Sequence, residues 1–79
     1  MKIELRVLGP NQTEVCLGRN VLFFSYNTVV VAGVDGVWYV TNSKHSNTTT
    51  KHINEYFGNF TKITAVSQKS LESIVDGLA

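Results

Sequence analysis

An alternation of apolar and charged residues opens the chain. Ile3, Leu5 and Val7 alternate with charged side chains over residues 2–8, and a period of two predicts a strand with one buried face. A Gly-Pro-Asn sequence interrupts the pattern, which resumes over residues 13–17 with valine and leucine on one side. The two segments therefore predict a β-hairpin.

The middle of the chain is rich in residues that favour strands. Residues 21–26, 28–34 and 37–41 are dominated by β-branched and aromatic side chains, which are enriched in sheets. Asp35-Gly36 separates the last two segments, and this dipeptide suits a type I′ turn because both central positions need a positive φ. These segments predict three further strands, the last two joined by a tight hairpin.

Pairing across that turn predicts which residues share a face of the sheet. The opposed pairs are Val34 with Val37, Ala32 with Tyr39, and Val31 with Val40. Alternation then puts Val29 on the face of Val31, and Val30 on the face of Ala32. Both faces are apolar, so we expect both to be covered, one by a helix and the other by a helix or a second subunit.

A helical pattern begins after a polar segment. In residues 48–57 the apolar side chains fall near one stripe of a helix, as expected for a helix that packs on a sheet. Ser46 or Asn47 suits the N-cap position, and Gly58 suits the residue that follows the last turn.

The end of the chain predicts one more strand and one more helix. Residues 61–66 form the short strand, and Ser67 suits the N-cap of the helix. The apolar residues of this helix follow the i, i+3, i+4, i+7 spacing: Leu71, Ile74, Val75 and Leu78. The complete pattern predicts one α+β domain over residues 1–79, with a small antiparallel sheet of about five strands, two helices and the order βββββαβα.

Composition excludes several classes of protein. The 79 residues allow one domain, and 43% hydrophobic residues argue against disorder. No apolar run reaches the roughly 18 residues of a membrane-spanning helix. The net charge of +1 gives no strong attraction to nucleic acid or to an anionic membrane. Charged residues near the N-terminus leave no signal-peptide core, which predicts a cytoplasmic protein.

Small size favours self-association. One core in a chain of this length supplies about 3–5 kcal/mol, and the single Cys16 cannot form an internal disulfide. His45 and His52 lie seven residues apart without a third ligand nearby, so no zinc signature is present. We therefore expect a homo-oligomer that has no metal and no cofactor.

The richest polar segment, residues 42–54, coincides with the predicted start of the first helix. A helix start offers unpaired N–H donors and a partial positive charge, so it suits an anion or a phosphate group. Capping of the helix by these polar residues is the alternative interpretation, and the two are compatible. With Lys44 nearby, the candidate ligand-binding residues are Ser46, Thr48, Thr49, Lys51, His52 and Asn54.

Catalysis has less support in the sequence. The acidic residues are scattered, so no carboxylate pair is indicated, and Cys16 in an alternating strand suits a structural thiol. Hydroxyl groups beside His45 or His52 as a general base suit phosphodiester hydrolysis, but no orienting partner is evident. We therefore expect a non-enzymatic protein.

Aromatic residues give the second candidate surface. Phe23 and Phe24 are adjacent, so their side chains point to opposite faces of a strand. One of them must meet another layer, a ligand or a partner subunit. Phe23, Phe24 and Tyr26 are therefore candidates for base stacking or for a subunit contact, whereas Trp38 and Tyr39 suit core packing.

Residues 23–56 contain a Tyr-x-Thr strand, a hairpin and a Thr-Thr-x-Lys-His-x-Asn helix start. The residues of this pattern are Phe24-Ser25-Tyr26-Asn27-Thr28-Val29-Val30, Tyr39-Val40, Asn42, Ser46, Thr48-Thr49, Lys51-His52 and Asn54. The pattern resembles a family of short proteins of unknown function from bacteriophages and environmental viral genomes. The resemblance implies a viral accessory protein with a site near the start of the first helix.

These observations favour a phage-encoded binding protein. It would inhibit or sequester a host component, such as a phosphate-bearing nucleotide signal of host defence, or bind a host protein. A nucleic-acid-binding module is the alternative, and a small phosphodiester hydrolase is the third. No membrane partner is expected.

Overall fold

The computed structural model describes residues 2–43, 46–58 and 62–78. These residues form six strands and two helices in the predicted order. The elements are β1 (Ile3–Gly9), β2 (Gln12–Leu17), β3 (Asn20–Ser25), β4 (Thr28–Val34), β5 (Val37–Thr41), α1 (Asn47–Phe57), β6 (Ile63–Val66) and α2 (Gln68–Asp76). The α+β class and the order βββββαβα are therefore confirmed.

The sheet follows the chain, with strand order β1-β2-β3-β4-β5-β6. The first five strands form an antiparallel meander. β6 then pairs in parallel with β5, with Trp38 beside Ile63. The prediction of a small antiparallel sheet of about five strands is roughly consistent with this mostly antiparallel sheet of six. The exception is β6, because the α1 crossover returns the chain to the end of the sheet where β5 began, and the next strand must run parallel to it.

The β4–β5 hairpin has the predicted register. All three predicted cross-strand pairs are present, including Val34 opposite Val37. Asp35 and Gly36 have φ values of 51° and 82°, so both central residues adopt the positive φ that a type I′ turn requires. The register of this hairpin was readable from the sequence because a two-residue turn leaves no freedom to slip.

A bulge in β4 overturns part of the face assignment. Phe23 pairs with Val31 and Phe24 pairs with Val29, so Val30 is an extra residue without an opposed partner. One extra residue resets the alternation of the strand. Val30 therefore lies on the same side of the sheet as Phe23 and Val31, whereas Val29 lies on the opposite side. The predicted placement of Val29 with Val31, and of Val30 with Ala32, was wrong.

The two helices cover opposite faces of the sheet. The α1 side buries Phe23, Val30, Val31 and Phe57. The α2 side buries Leu22, Val29, Ala32 and Leu71. Phe24 packs into the second cluster, so the phenylalanine doublet supplies one ring to each core.

The apolar side chains of the edge strand β1 are exposed, whereas the sequence predicts that they are buried. Ile3 and Leu5 are each 66% exposed and Val7 is 74% exposed, although their alternation predicts a buried face. Leu5 lies opposite Val15, which belongs to the α2 side of the sheet. α2 packs on β4 and β5, so this helix does not reach the edge.

None of the described helices has the length and hydropathy needed to cross a bilayer.

Tyr56 links α1 to β2. Its ring stacks on Phe23 with a centroid separation of 4.2 Å and an interplanar angle of 15°. Its hydroxyl donates a hydrogen bond of 2.6 Å to Glu14 Oε2. Burial, and then the bond to Glu14, raise the pKa of Tyr56 well above its usual value, so the phenol stays protonated and remains a donor.

We expect Tyr56→Phe to lower the free energy of unfolding by about 1–2 kcal/mol, because Glu14 loses a charge-assisted hydrogen bond while the stacked ring is kept. Since folding raises the pKa of Tyr56, its contribution is complete below about pH 10 and declines above that value. Urea unfolding at several pH values measures both effects. Tyr39→Phe, on the opposite face of the sheet, is the matched control, and equal effects of the two substitutions would contradict the assignment.

Candidate functional site

Ser46 caps the start of α1. Its Oγ accepts the Thr49 backbone N–H at 3.0 Å and donates to Thr49 Oγ1 at 3.1 Å. The Thr50 hydroxyl donates to the Ser46 carbonyl at 3.1 Å. Of the two predicted caps, the structure therefore uses Ser46 rather than Asn47.

A buried chain of hydroxyls and one imidazole joins this cap to the sheet. Ser25 Oγ lies 3.1 Å from Thr49 Oγ1 and 2.8 Å from His52 Nδ1. Ser25, Thr49 and His52 are only 1%, 5% and 7% exposed. Thr49 and His52 are three residues apart and so share one face of α1. The chain of hydrogen bonds runs from Ser46 through Thr49 and Ser25 to His52 and fixes the helix start against the end of β3.

The Ser25–His52 contact resembles the pairing of a nucleophile with a general base, in which a hydroxyl lies within hydrogen-bond reach of an imidazole. Here the Ser25 hydroxyl is almost completely buried, so a substrate has no approach to Oγ. Among the described buried side-chain atoms, none lacks a hydrogen-bond partner. This arrangement suits a network that positions α1, because a satisfied polar network in a core specifies one packing arrangement.

Ser25 is a member of this cluster that was not among the predicted site residues. The residue closes an apolar strand and lies two positions after Phe23, so alternation puts the two side chains on the same face. That pattern indicates that the Ser25 side chain is buried. It gave no signal for His52 as its partner, because the two residues are 27 positions apart in the chain.

The helix divides the predicted ligand-binding residues into two groups. Thr49 and His52 face the sheet and are buried. Thr48, Lys51 and Asn54 are exposed, because a helical period of 3.6 places them away from the buried stripe. The Lys51 ammonium lies 3.9 Å from the Glu55 carboxylate, and its side chain is 76% exposed.

Among the aromatic candidates, Tyr26 has the most exposed side chain. Phe23 is fully buried, which removes it as a stacking or subunit-contact residue, and Phe24 packs under α2. Tyr26 is 49% exposed, and its ring centroid lies 6.0 Å from that of His52.

The backbone of Tyr26 is also unusual. Its φ is 57°, a left-handed conformation that costs a bulky residue about 1–2 kcal/mol. Its N–H donates to the Asn11 carbonyl at 2.8 Å, so the turn between β3 and β4 is tied to the turn between β1 and β2. The strained conformation holds the tyrosine ring at the rim of the buried hydroxyl–imidazole chain.

The remaining candidate residues from the sequence add no further group to this site. Lys44 and His45 lie outside the described residues. Burial, and then the charge of Glu14, raise the pKa of Cys16, which disfavours a reactive thiolate. Within residues 2–43, 46–58 and 62–78, no three side chains of His, Cys, Asp or Glu come together as a metal site.

A shallow groove lies at the opposite end of the strands. Its volume is about 350 Å³. The residues that line it are Gly36, Val37, Trp38, Lys62, Ile63 and Thr64. Because β3 runs from the Trp38 end of the sheet towards Ser25, this groove is separate from the site at the start of α1.

Comparison with known proteins identifies a family but no activity. Residues 3–73 match the model of a family of unknown function, DUF8033, and the chain belongs to this family. No curated protein and no solved structure matches the chain.

We expect Ser25→Ala to lower the free energy of unfolding by about 2 kcal/mol, because His52 Nδ1 and Thr49 Oγ1 each lose a buried hydrogen-bond partner. Urea unfolding followed by circular dichroism measures the change. Thr48→Ala removes an exposed hydroxyl from the same helix turn and is the matched control, with an expected change within about 0.5 kcal/mol. A Ser25→Ala effect as small as that of the control would show that the buried chain does not hold α1 in place.

Proposed function

We propose that the chain is a small non-enzymatic binding protein, encoded by a bacteriophage and active in the cytoplasm of the infected host cell. It inhibits or sequesters a host component, and the favoured ligand is a phosphate-bearing nucleotide signal of host defence. The viral origin rests on the resemblance of residues 23–56 to phage proteins. The mode of action rests on the geometry around the start of α1.

The observation that carries the proposal is the half-exposed Tyr26 on a strained backbone beside His52. Residues in sparsely populated backbone regions concentrate at binding sites, where the rest of the fold supports their cost. An exposed aromatic ring next to an imidazole offers a stacking surface for a nucleobase, because every base has a π-face.

The exposed face of α1 supports the phosphate part of the proposal. Lys51 carries a largely exposed ammonium group, and Thr48 offers a hydroxyl in the first turn. A helix N-terminus adds a partial positive charge that favours phosphate. The buried Ser25–His52 chain keeps this surface rigid, which lowers the entropy lost on binding.

Two alternatives use the same residues. A nucleic-acid-binding module would place Tyr26 and Lys51 against a longer backbone, and its affinity would fall steeply with salt. A phosphodiester hydrolase would need His52 as a general base. The burial of Ser25 and the engagement of His52 Nδ1 by Ser25 favour binding over hydrolysis.

Native mass spectrometry of the protein freshly purified from infected cells tests the proposal directly. We expect a retained species with the mass of a nucleotide, released on gentle denaturation at one molecule per site. A chain without any retained species, together with no heat of binding to a panel of cyclic and linear nucleotides, would overturn it. Turnover of a nucleotide in the same panel would favour the hydrolase instead.

Lys51→Ala should weaken binding of the retained nucleotide about tenfold, because a hydrogen bond to a charged group is lost. Isothermal titration calorimetry measures the affinity. Lys69→Ala removes an exposed lysine from α2 and is the matched control. Equal losses for the two variants would indicate a non-specific charge effect. Tighter binding of a longer single strand, with a steep salt dependence, would favour the nucleic-acid module.

A further inference from the structure

β1 is an edge strand whose apolar side chains are exposed to solvent. It is the outermost strand of the sheet, and its apolar side chains Ile3, Leu5 and Val7 are at least 66% exposed. Proteins commonly protect an edge strand by shortening, twisting or covering it, since its free N–H and C=O groups pair readily with another strand. β1 is seven residues long and is not covered by α2, which packs on β4 and β5.

The backbone of β1 determines which of its residues are free to pair. The Lys2 carbonyl accepts the Gly18 N–H at 2.9 Å, so Lys2 points its backbone polar groups towards β2. In an antiparallel ladder the hydrogen-bonding side alternates with each residue. Ile3, Leu5 and Val7 therefore direct their N–H and C=O groups away from β2, towards the open edge.

A second copy of the same strand fits this edge in one favourable register. The three outward residues can all pair with one another only if Leu5 lies opposite Leu5 of the partner subunit. Ile3 then lies opposite the partner's Val7. On the other face of the strand, Glu4 lies opposite the partner's Arg6, and the two-fold axis repeats this contact, so two pairs of opposite charges form across the edge.

The neighbouring registers are disfavoured by charge. A shift that centres the pair on Glu4 opposes two glutamates, and a shift that centres it on Arg6 opposes two arginines. Like charges directly opposite each other destabilise an antiparallel pair. The sequence of β1 is therefore self-complementary in the register that also pairs every outward backbone group.

We propose that two copies of this chain associate through antiparallel pairing of their β1 strands, centred on Leu5, to form one continuous twelve-stranded sheet. The outward groups of Ile3, Leu5 and Val7 supply the hydrogen bonds, and the same three side chains from each copy form an apolar row on the α2 side. Glu4 and Arg6 select the register. This interface involves none of the residues of the proposed ligand site, so the two proposals fail or hold independently.

Disulfide trapping tests the register. In a Cys16→Ser background, Leu5→Cys places two thiols directly opposite each other, with a Cα separation of about 5.5 Å, which a disulfide spans. Ile3→Cys is the matched control, because Ile3 and Leu5 are equally exposed at 66%. In the proposed register the two thiols of the Ile3→Cys dimer are about 14 Å apart along the strands. We expect oxidation to cross-link the Leu5→Cys protein about tenfold faster than the Ile3→Cys protein.

Charge reversal tests the same interface without a new bond. Sedimentation equilibrium of the full chain should show a dimer that dissociates on dilution. Glu4→Arg and Arg6→Glu should each raise the dissociation constant about tenfold by opposing like charges, and the double variant should recover most of the loss. Both side chains are exposed. Because Arg6 also lies opposite Glu14 of β2, circular dichroism is needed to verify that each variant retains a folded monomer.

Each outcome decides the proposal. A monomer at every protein concentration would overturn it. A dimer in which the Ile3→Cys and Leu5→Cys proteins cross-link at equal rates would also overturn it, since face-to-face packing of the exposed rows does not select a register. Selective cross-linking of the Leu5→Cys protein, with rescue by the double charge reversal, would support it.

Discussion

β3 and β4 carry apolar side chains on both faces, and burying both faces requires one layer on each side of the sheet. The bulge at Val30 makes this arrangement work, because it turns Val30 and Val31 together towards α1 and leaves Val29 for α2. Phe23 and Phe24 divide between the same two layers. Since the two helices together fill both layers, the central strands need no second subunit to complete their cores.

The same arrangement explains why the apolar side chains of the edge strand β1 are not covered by a helix. Two helices of 11 and 9 residues cannot cover six strands, since a helix is only about 10–12 Å wide and neighbouring strands lie about 4.8 Å apart. The helices pack over the centre, and β1 keeps its apolar side chains in water. The exposed edge is thus a geometric consequence of the packing at the centre, and it is the edge through which we propose that two copies associate.

The polar side chains around the start of α1 fall into a group that faces the sheet and a group that faces solvent. The chain of hydrogen bonds from the exposed Ser46 to the buried Thr49, Ser25 and His52 is satisfied internally and holds α1 on the sheet. The exposed groups around it, Tyr26 and Lys51 above all, are the ones that we propose meet the ligand. A serine hydroxyl within hydrogen-bond distance of an imidazole suggests catalysis, but the burial of Ser25 leaves its hydroxyl without access to a substrate.

The sequence by itself determined the element order, the β4–β5 register and the N-cap Ser67, since periodicity, turn chemistry and capping act over a few neighbouring residues. It narrowed the N-cap of α1 to Ser46 or Asn47, and the structure selects Ser46. It also located the helix start that contains Thr49 and His52. Only the tertiary structure decided that β6 runs parallel to β5, that Val30 is a bulge, that β1 is uncovered, and that Ser25 meets His52. Each of these depends on where distant elements come to lie in three dimensions, and a local pattern carries no information about a contact across 27 residues.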